Sequence, residues 1–356
     1  MDNLSLRRRI ALNITKKLQD DVIAEHPLRQ LFWECTMRCN LHCRHCGSDC
    51  KQTALAPDMP KEVFGKVLDS VAAKTDPHKV MINITGGEPL MRPDLEDCGR
   101  MIYQKGFPWG MVTNGFALTP ERYRRLLQCG LRAMTISLDG LEDDHDWMRG
   151  RSSSFKRAAT AISMVIQSGE IEFDVVTCVN RRNIGKLLQL KDFLISLGLK
   201  EWRLFTIFPS GRAKDDPELR LTREELKYLL DFIKATRKEG IIKTSFACEG
   251  FMGNYEGDIR DHFYMCNAGV TVGSVLSDGS ISACPSIRAD YTQGNIYKDD
   301  FMEVWENRFV PYRDRSWMKK DECASCKFWK YCRGGGMHLR DSDGKLMQCL
   351  LHRLHE

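Results

Sequence analysis

The residues with most chemistry to offer in this 356-residue chain are its 15 cysteines, because they are grouped. Cys35, Cys39, Cys43, Cys46 and Cys50 crowd one short stretch, and Cys323, Cys326, Cys332 and Cys349 another. Cys39, Cys43 and Cys46 form C-x3-C-x2-C. Thiolates so close in sequence converge only when the backbone curls around a small inorganic centre, and they favour iron–sulfur clusters or zinc over oxygen-seeking ions. Three ligands rather than four would leave one iron of a cluster open to a substrate or cofactor, and a zinc site is the alternative. Cys35 and Cys39 repeat the spacing of three without completing the pattern. An oxidised disulfide framework fits poorly. The chain is large, its start (MDNLSLRRRIALNITKKLQDD) has no apolar run leading to a cleavage site, and the odd cysteine count leaves at least one unpaired. No stretch approaches the roughly 18 apolar residues that cross a bilayer. A cytoplasmic protein without stable membrane insertion is expected, and in a reducing cytosol such cysteines serve metals or redox chemistry.

The elements that must position these thiols follow a repeating pattern. β-prone runs at 31–34, 80–85, 110–113, 133–138, 173–178 and 202–208 alternate with helical patterns near 60–74, 94–105, 119–129, 154–168, 185–197 and 222–239. In the last, Leu226, Leu229, Leu230 and Ile233 share one face, and Thr222 with Glu225 fits a capping box. Six strand–helix repeats without a GxGxxG turn indicate a parallel α/β domain, for which a partial barrel and an open sheet fit equally. The C-x3-C-x2-C loop follows the first strand. The second runs into Gly86-Gly87-Glu88-Pro89, where two glycines permit close backbone approach and a carboxylate can accept from a cationic amine. Beyond Gly240 the sequence is rich in Gly, Cys and turn pairs such as Asp278-Gly279.

On these residues the chain resembles the radical S-adenosylmethionine superfamily. The resemblance implies a [4Fe–4S] cluster on Cys39, Cys43 and Cys46, whose open iron chelates S-adenosylmethionine and whose reduction yields a 5′-deoxyadenosyl radical that abstracts hydrogen from substrate. It implies contacts to the cofactor from Gly86, Gly87, Glu88 and Pro89 at the methionyl amine and from His45 at the adenine. Ser137, then Asn114 and Asp139, would approach the ribose and carboxylate, and Arg203 is a further candidate for the carboxylate or for a structural salt bridge. His42 reads as solvent-facing. The implied fold is a partial (β/α)6 TIM-like barrel over residues 28–240, preceded by a helical segment (1–27) and followed by a small cysteine-rich iron–sulfur extension (241–356).

That extension resembles the SPASM domain: Cys266-x12-Gly279-x4-Cys284, then Cys323-x2-Cys326-x5-Cys332, then Cys349. The resemblance implies that Cys323, Cys326, Cys332 and Cys349 saturate an auxiliary [4Fe–4S] cluster. Gly336 stands where the pattern has a further cysteine, so an inner site keeps only Cys266 and Cys284, with Cys248 a candidate third ligand and no cluster as the alternative. A zinc ribbon is the other reading of the 323–349 set. Cys98, Cys129 and Cys178 are isolated and read as buried small residues, with Cys178 also a candidate hydrogen donor. Tyr255, Tyr264 and Asp258 are candidate substrate contacts.

The expected enzyme is an oxygen-sensitive oxidoreductase or peptide maturase that draws electrons from a low-potential donor such as flavodoxin or ferredoxin. A ribosomally made peptide or protein is the favoured substrate. The residues before the first strand are too few for a folded leader-binding domain, so a separate peptide-recognition protein is a candidate partner. A small-molecule enzyme related to haem-type tetrapyrrole biosynthesis is the rival. The charge balance, 53 − 48 = +5, and the short basic runs Arg7-Arg8-Arg9 and Arg181-Arg182 give no concentrated surface for nucleic acid.

Overall fold

The computed structural model describes residues 4–54, 56–247 and 249–355; Cys248 lies outside them. Seven parallel strands follow in sequence, β1 (Gln30–Thr36), β2 (Met81–Gly86), β3 (Trp109–Thr113), β4 (Leu131–Ser137), β5 (Glu172–Cys178), β6 (Glu201–Phe205) and β7 (Lys243–Phe246), each paired with the one before. The helices are α1 (Leu6–Glu25), α2 (Lys61–Ala72), α3 (Leu95–Gln104), α4 (Pro120–Gln128), α5 (Glu142–Arg149), α6 (Ser154–Ser168), α7 (Leu187–Ser196) and α8 (Arg223–Glu239). The six strands and six helices expected from sequence are all present, and β7 and α5 are added to them.

Period-two alternation divides each strand between two environments. Leu31, Trp33, Ile82, Ile84, Trp109, Met111, Met134, Ile136, Val175, Trp202 and Leu204 are buried in one continuous core with the helices. Trp33 stacks on Phe64 of α2 with ring centroids 4.2 Å apart, and Trp202 meets Phe232 of α8 edge to face. The intervening positions, Asn83, Thr135, Asp174 and Arg203 among them, form a more polar and less buried face. Local signals hold the helices in place: α8 has the full Thr222–Glu225 capping box and stops at Gly240 in the left-handed conformation, and α4 starts on a Thr119 cap with Pro120 in its first turn. α5 escaped the sequence pattern because EDDHDWMR is eight residues long and mostly charged, too short and too polar for a periodic signal.

The cysteine-rich extension is joined to the barrel sheet. β8 (Val272–Val275) runs parallel to β1, with Gln30 opposite Val272 and Trp33 opposite Val275. It pairs antiparallel with β9 (Ser280–Ser282) around the Asp278-Gly279 turn, and β10 (Gly294–Asn295) closes the edge before α9 (Phe301–Arg308). The sheet order is β10-β9-β8-β1-β2-β3-β4-β5-β6-β7, an open barrel with β7 as one free edge and β1 enclosed. α1 lies across the extension: Arg8 pairs with Asp258 at 3.1 Å, Gln19 donates to Tyr264 O at 3.1 Å, and Asn13 accepts from the Tyr331 hydroxyl at 2.9 Å. Among the described residues no helix is long and apolar enough to cross a membrane.

Candidate active site and cluster-binding sites

The loop after β1 carries Cys39, Cys43 and Cys46 to the C-terminal mouth of the barrel. Cys39 and Cys43 are buried and pack with Leu41, Cys50, Cys46 and Phe116. Backbone bonds hold the loop in shape: Cys39 N–H donates to Lys51 O at 2.8 Å, Arg44 N–H to Met148 O at 2.9 Å, and Arg212 N–H to Cys46 O at 3.0 Å. The Arg212 side chain also donates to Cys43 O at 2.7 Å. Burial pushes the Cys39 thiol up to about 12 and raises Cys43 as well, whereas a hydrogen bond from the Cys50 thiol pulls Cys46 down to about 5 against its burial.

The glycines of the Gly86-Gly87-Glu88-Pro89 turn serve the loop's stem. A Cβ on Gly86 would overlap Thr36 O and one on Gly87 would overlap Arg38 O, and in this close approach Gly87 N–H reaches Thr36 O at 2.7 Å and Glu88 N–H reaches Arg38 O at 2.9 Å. The Glu88 carboxylate is fully enclosed. Oε1 accepts from the Thr113 hydroxyl (2.6 Å) and Leu90 N–H (3.1 Å), and Oε2 accepts from Asn114 N–H (2.8 Å). Burial raises its pKa against those donors. The carboxylate therefore fixes the end of β3, and the Asn114 side chain reaches back to the loop, donating to Asn40 Oδ1 at 2.8 Å with its amide 4.0 Å from Cys39 Sγ.

Ser137 closes β4, half-buried, opposite Val176. Two residues on, Asp139 is buried; it accepts from Cys178 N–H at 2.9 Å and pairs with Arg149 at 2.7 Å. Burial alone would raise the Asp139 carboxyl, but Arg149 first, with His45, His145 and that N–H, holds it below the ordinary value. His45, Asp139 and Cys178 bring one ligand atom each within 4.8 Å of one another, the one group of three with single-ion spacing among the described residues. Neither cysteine set is drawn that tight, as a tetrahedral zinc with Zn–S near 2.3 Å would require. His45 Nδ1 and Arg149 Nε are buried without hydrogen-bond partners. Three loop thiols beside unspent buried polar atoms fit an iron–sulfur cluster with a polar organic ligand at the same mouth. His42 is exposed.

Arg203 stands level with Ser137 across Val176 and reaches down to Asp174 and to the Thr135 hydroxyl at 3.0 Å; the remaining candidates are elsewhere. Tyr255 donates to Asp231 of α8 at 2.9 Å, and Asp258 pairs with Arg8 and with Lys234 at 2.9 Å, so both join helices to the extension rather than meeting the mouth. Tyr264 is buried among Leu4, Leu12 and Phe251, and Cys98 and Cys129 are buried in the main core. Sequence reasoning passed over Arg149, His145 and Arg212. None lies in a spaced motif, and only the folding of α5 and of the loop after β6 brings them to the thiols.

Cys323, Cys326, Cys332 and Cys349 line one cavity, walled also by Phe251, Trp329 and Leu350. Burial raises Cys332 to about 12 and Cys349 to about 11, and the buried Arg340 donates to Cys323 Sγ at 3.3 Å. Four thiols on one cavity with a cationic donor fit a saturated cluster. Cys266 and Cys284 are neighbours in the core beside it. Burial would raise Cys266, but Arg315 and the N–H groups of Met337 and Ala268 more than offset it, while Cys284 is pushed up to about 11 by burial. The segment that begins at Gly336 thus supplies the Cys266 sulfur with a hydrogen-bond donor in place of a partner ligand. Two thiols so arranged do not fit a cluster by themselves.

The sequence profile of the Radical SAM superfamily matches residues 33–194, and that of the SPASM iron–sulfur cluster-binding domain matches residues 266–327. Mycofactocin maturase MftC of Mycobacterium ulcerans (strain Agy99) is 30% identical over 317 residues, spanning 86% of this chain and 82% of the relative. The AdoMet-dependent heme synthase of Methanosarcina barkeri (strain Fusaro / DSM 804) is 27% identical over 324 residues, spanning 86% and 90%. Among solved structures, Streptococcus suis SuiB bound to S-adenosylmethionine superposes with a TM-score of 0.72 at 18% identity, over 98% of this chain and 84% of that one, a likeness of fold.

Proposed function

The chain belongs to the radical SAM superfamily and carries a SPASM-type iron–sulfur extension, and from that premise we propose that it modifies a peptide or protein substrate at the mouth of its open barrel. The bound cluster and S-adenosylmethionine supply reductive cleavage of the sulfonium and hydrogen abstraction from carbon. The chain's own residues prepare the place. Cys39, Cys43 and Cys46 would hold the cluster, and the Gly86–Pro89 turn, Asn114, Ser137, Asp139 and His45 would orient the cofactor. Cys323, Cys326, Cys332 and Cys349 would hold the auxiliary cluster as a saturated electron relay. A low-potential flavodoxin or ferredoxin would deliver the electron.

One observation carries the choice of substrate. A cleft of about 420 Å³ flanks the cluster loop and is lined by Thr36, Ser48, Cys50, Thr53, Ala54 and Ser277 together with Asp49, Lys51 and Asp58. Its Lys51 amine lies 3.5 Å from Asp49, and with Asp58 the lining carries two carboxylates against one ammonium among small and apolar groups that include Met37, Ala56 and Pro57. Such a wall suits an extended peptide, whereas a polycarboxylate tetrapyrrole calls for several uncompensated cations. The heme synthase relative favours the second reading. Anaerobic incubation of the reconstituted enzyme with S-adenosylmethionine, reductant, and either peptides encoded beside its gene or iron coproporphyrin separates them. A peptide whose mass changes in ordinary water, or is unchanged there but takes up deuterium from heavy water, supports the proposal; conversion of the porphyrin alone overturns it.

A further inference from the structure

The last turn of α5 is fastened to the cluster loop at several consecutive positions. Arg44 N–H donates to Met148 O at 2.9 Å, and the Arg151 side chain donates to Asn40 O at 3.0 Å. Gly150 (φ 66°) packs so close that a Cβ there would lie 2.7 Å from His42 O. Between these contacts the buried Arg149 guanidinium points one nitrogen at Cys43 Sγ, 3.7 Å away, and another at Asp139, 2.7 Å away. Asp139 is itself fixed by Cys178 N–H and, through its own N–H, by His145 Nδ1 at 3.0 Å; His145 Nε2 meets the Ser154 hydroxyl at 3.2 Å. Of the other two loop thiols, Cys39 faces the neutral Asn114 amide, and Cys46 faces the Cys50 thiol with the Arg212 charge also acting on it.

We propose that Arg149 is a positioning residue that sets the reduction potential of the cluster on Cys39, Cys43 and Cys46, by donating an N–H···S hydrogen bond to Cys43 with Asp139 as the counterweight to its charge. The inference rests on the cluster assignment made above. Net charge and hydrogen bonds to the ligand sulfurs govern iron–sulfur potentials. A cluster gains negative charge on reduction, so a buried cation at one sulfur favours the reduced form, and the carboxylate beside it limits that gain. The two side chains therefore act in opposite directions.

The test is a redox titration of the reconstituted full-length enzyme, followed through the paramagnetic signal that S-adenosylmethionine perturbs, with iron and sulfide measured alongside. At a fixed poise near the wild-type midpoint, Arg149→Met is expected to lower the reduced-to-oxidised ratio about tenfold, a shift of ~59 mV for one electron. Arg149→Lys, which keeps the charge, should retain most of the ratio, and Asp139→Asn should raise it. An unmoved potential in Arg149→Met at full iron content overturns the inference, as does a fall in Asp139→Asn. Should Arg149→Met lose the cluster, the direction in Asp139→Asn decides alone: a rise supports the inference, and no change or a fall overturns it. Wild-type protein that binds zinc without sulfide would instead defeat the cluster reading itself.

Discussion

Glu88 spends both carboxylate oxygens on Thr113, Leu90 and Asn114, inside a site where an enclosed acid without donors would be costly. Glu88→Gln puts an NH2 where acceptors are needed. It should cost about 1–3 kcal/mol in denaturant unfolding of the cluster-free protein and loosen S-adenosylmethionine binding in calorimetry through Asn114. Cys39→Ala should remove about four irons per chain and abolish 5′-deoxyadenosine formation, with the auxiliary cluster's absorbance retained. His145 gives the site a pH signature of its own. Burial first, and then Arg149, depress its pKa to about 3 from 6.5, so the folded state favours the neutral ring. Its stabilising effect is complete above about pH 6.5 and is lost as the pH falls toward 3. Between pH 6.5 and 5 its share amounts to about 2 kcal/mol, on top of those of the buried His45 and His338, and urea unfolding should find the wild-type difference reduced by that share in His145→Asn. These residues also mark the limit of reading from sequence. The convergence of Cys39, Cys43 and Cys46 on one loop was legible from their close spacing. Arg149 and His145 were not, since their roles depend on which backbone they land beside.

At the scale of elements, the turn after β2 and the last turn of α5 are two clamps on one loop, and both use glycine to bring backbone against backbone. Gly87→Ala should therefore act through the cluster loop: a Cβ overlapping Arg38 O must push the stem of the loop away. We expect lower iron retention after desalting and a melting temperature several degrees lower, with β-sheet circular dichroism largely kept. The six central strands were legible because each is a short β-rich run followed by a helix with its own caps. β7 and β8 were not. Each is four residues long, in segments whose glycines and polar residues resemble loops, and each becomes a strand only because a longer strand offers it an unpaired edge.

In the whole molecule the extension is joined to the barrel sheet through β8, but Cys323, Cys326, Cys332 and Cys349 lie beyond its last strand, so the loss of their cluster should stay local. Cys326→Ala should lose about four irons and expose the 323–349 segment to limited proteolysis, while S-adenosylmethionine still perturbs the remaining cluster. α1 reinforces the connection from the other end of the chain, through Arg8 to Asp258 and Asn13 to Tyr331. The placement of β1 between β2 and β8 carries a consequence for the newborn chain. Gln30 and its partner Val272 are separated by 242 residues, so at 5–20 residues per second a ribosome needs roughly 12–50 s to make the second neighbour of the strand that leads into the C-x3-C-x2-C loop. During that interval the three thiols emerge on a strand bordered on one side only. The strand that leads into that loop therefore gains its second neighbour only late in synthesis, and until then its cysteines stand less sheltered than in the finished fold.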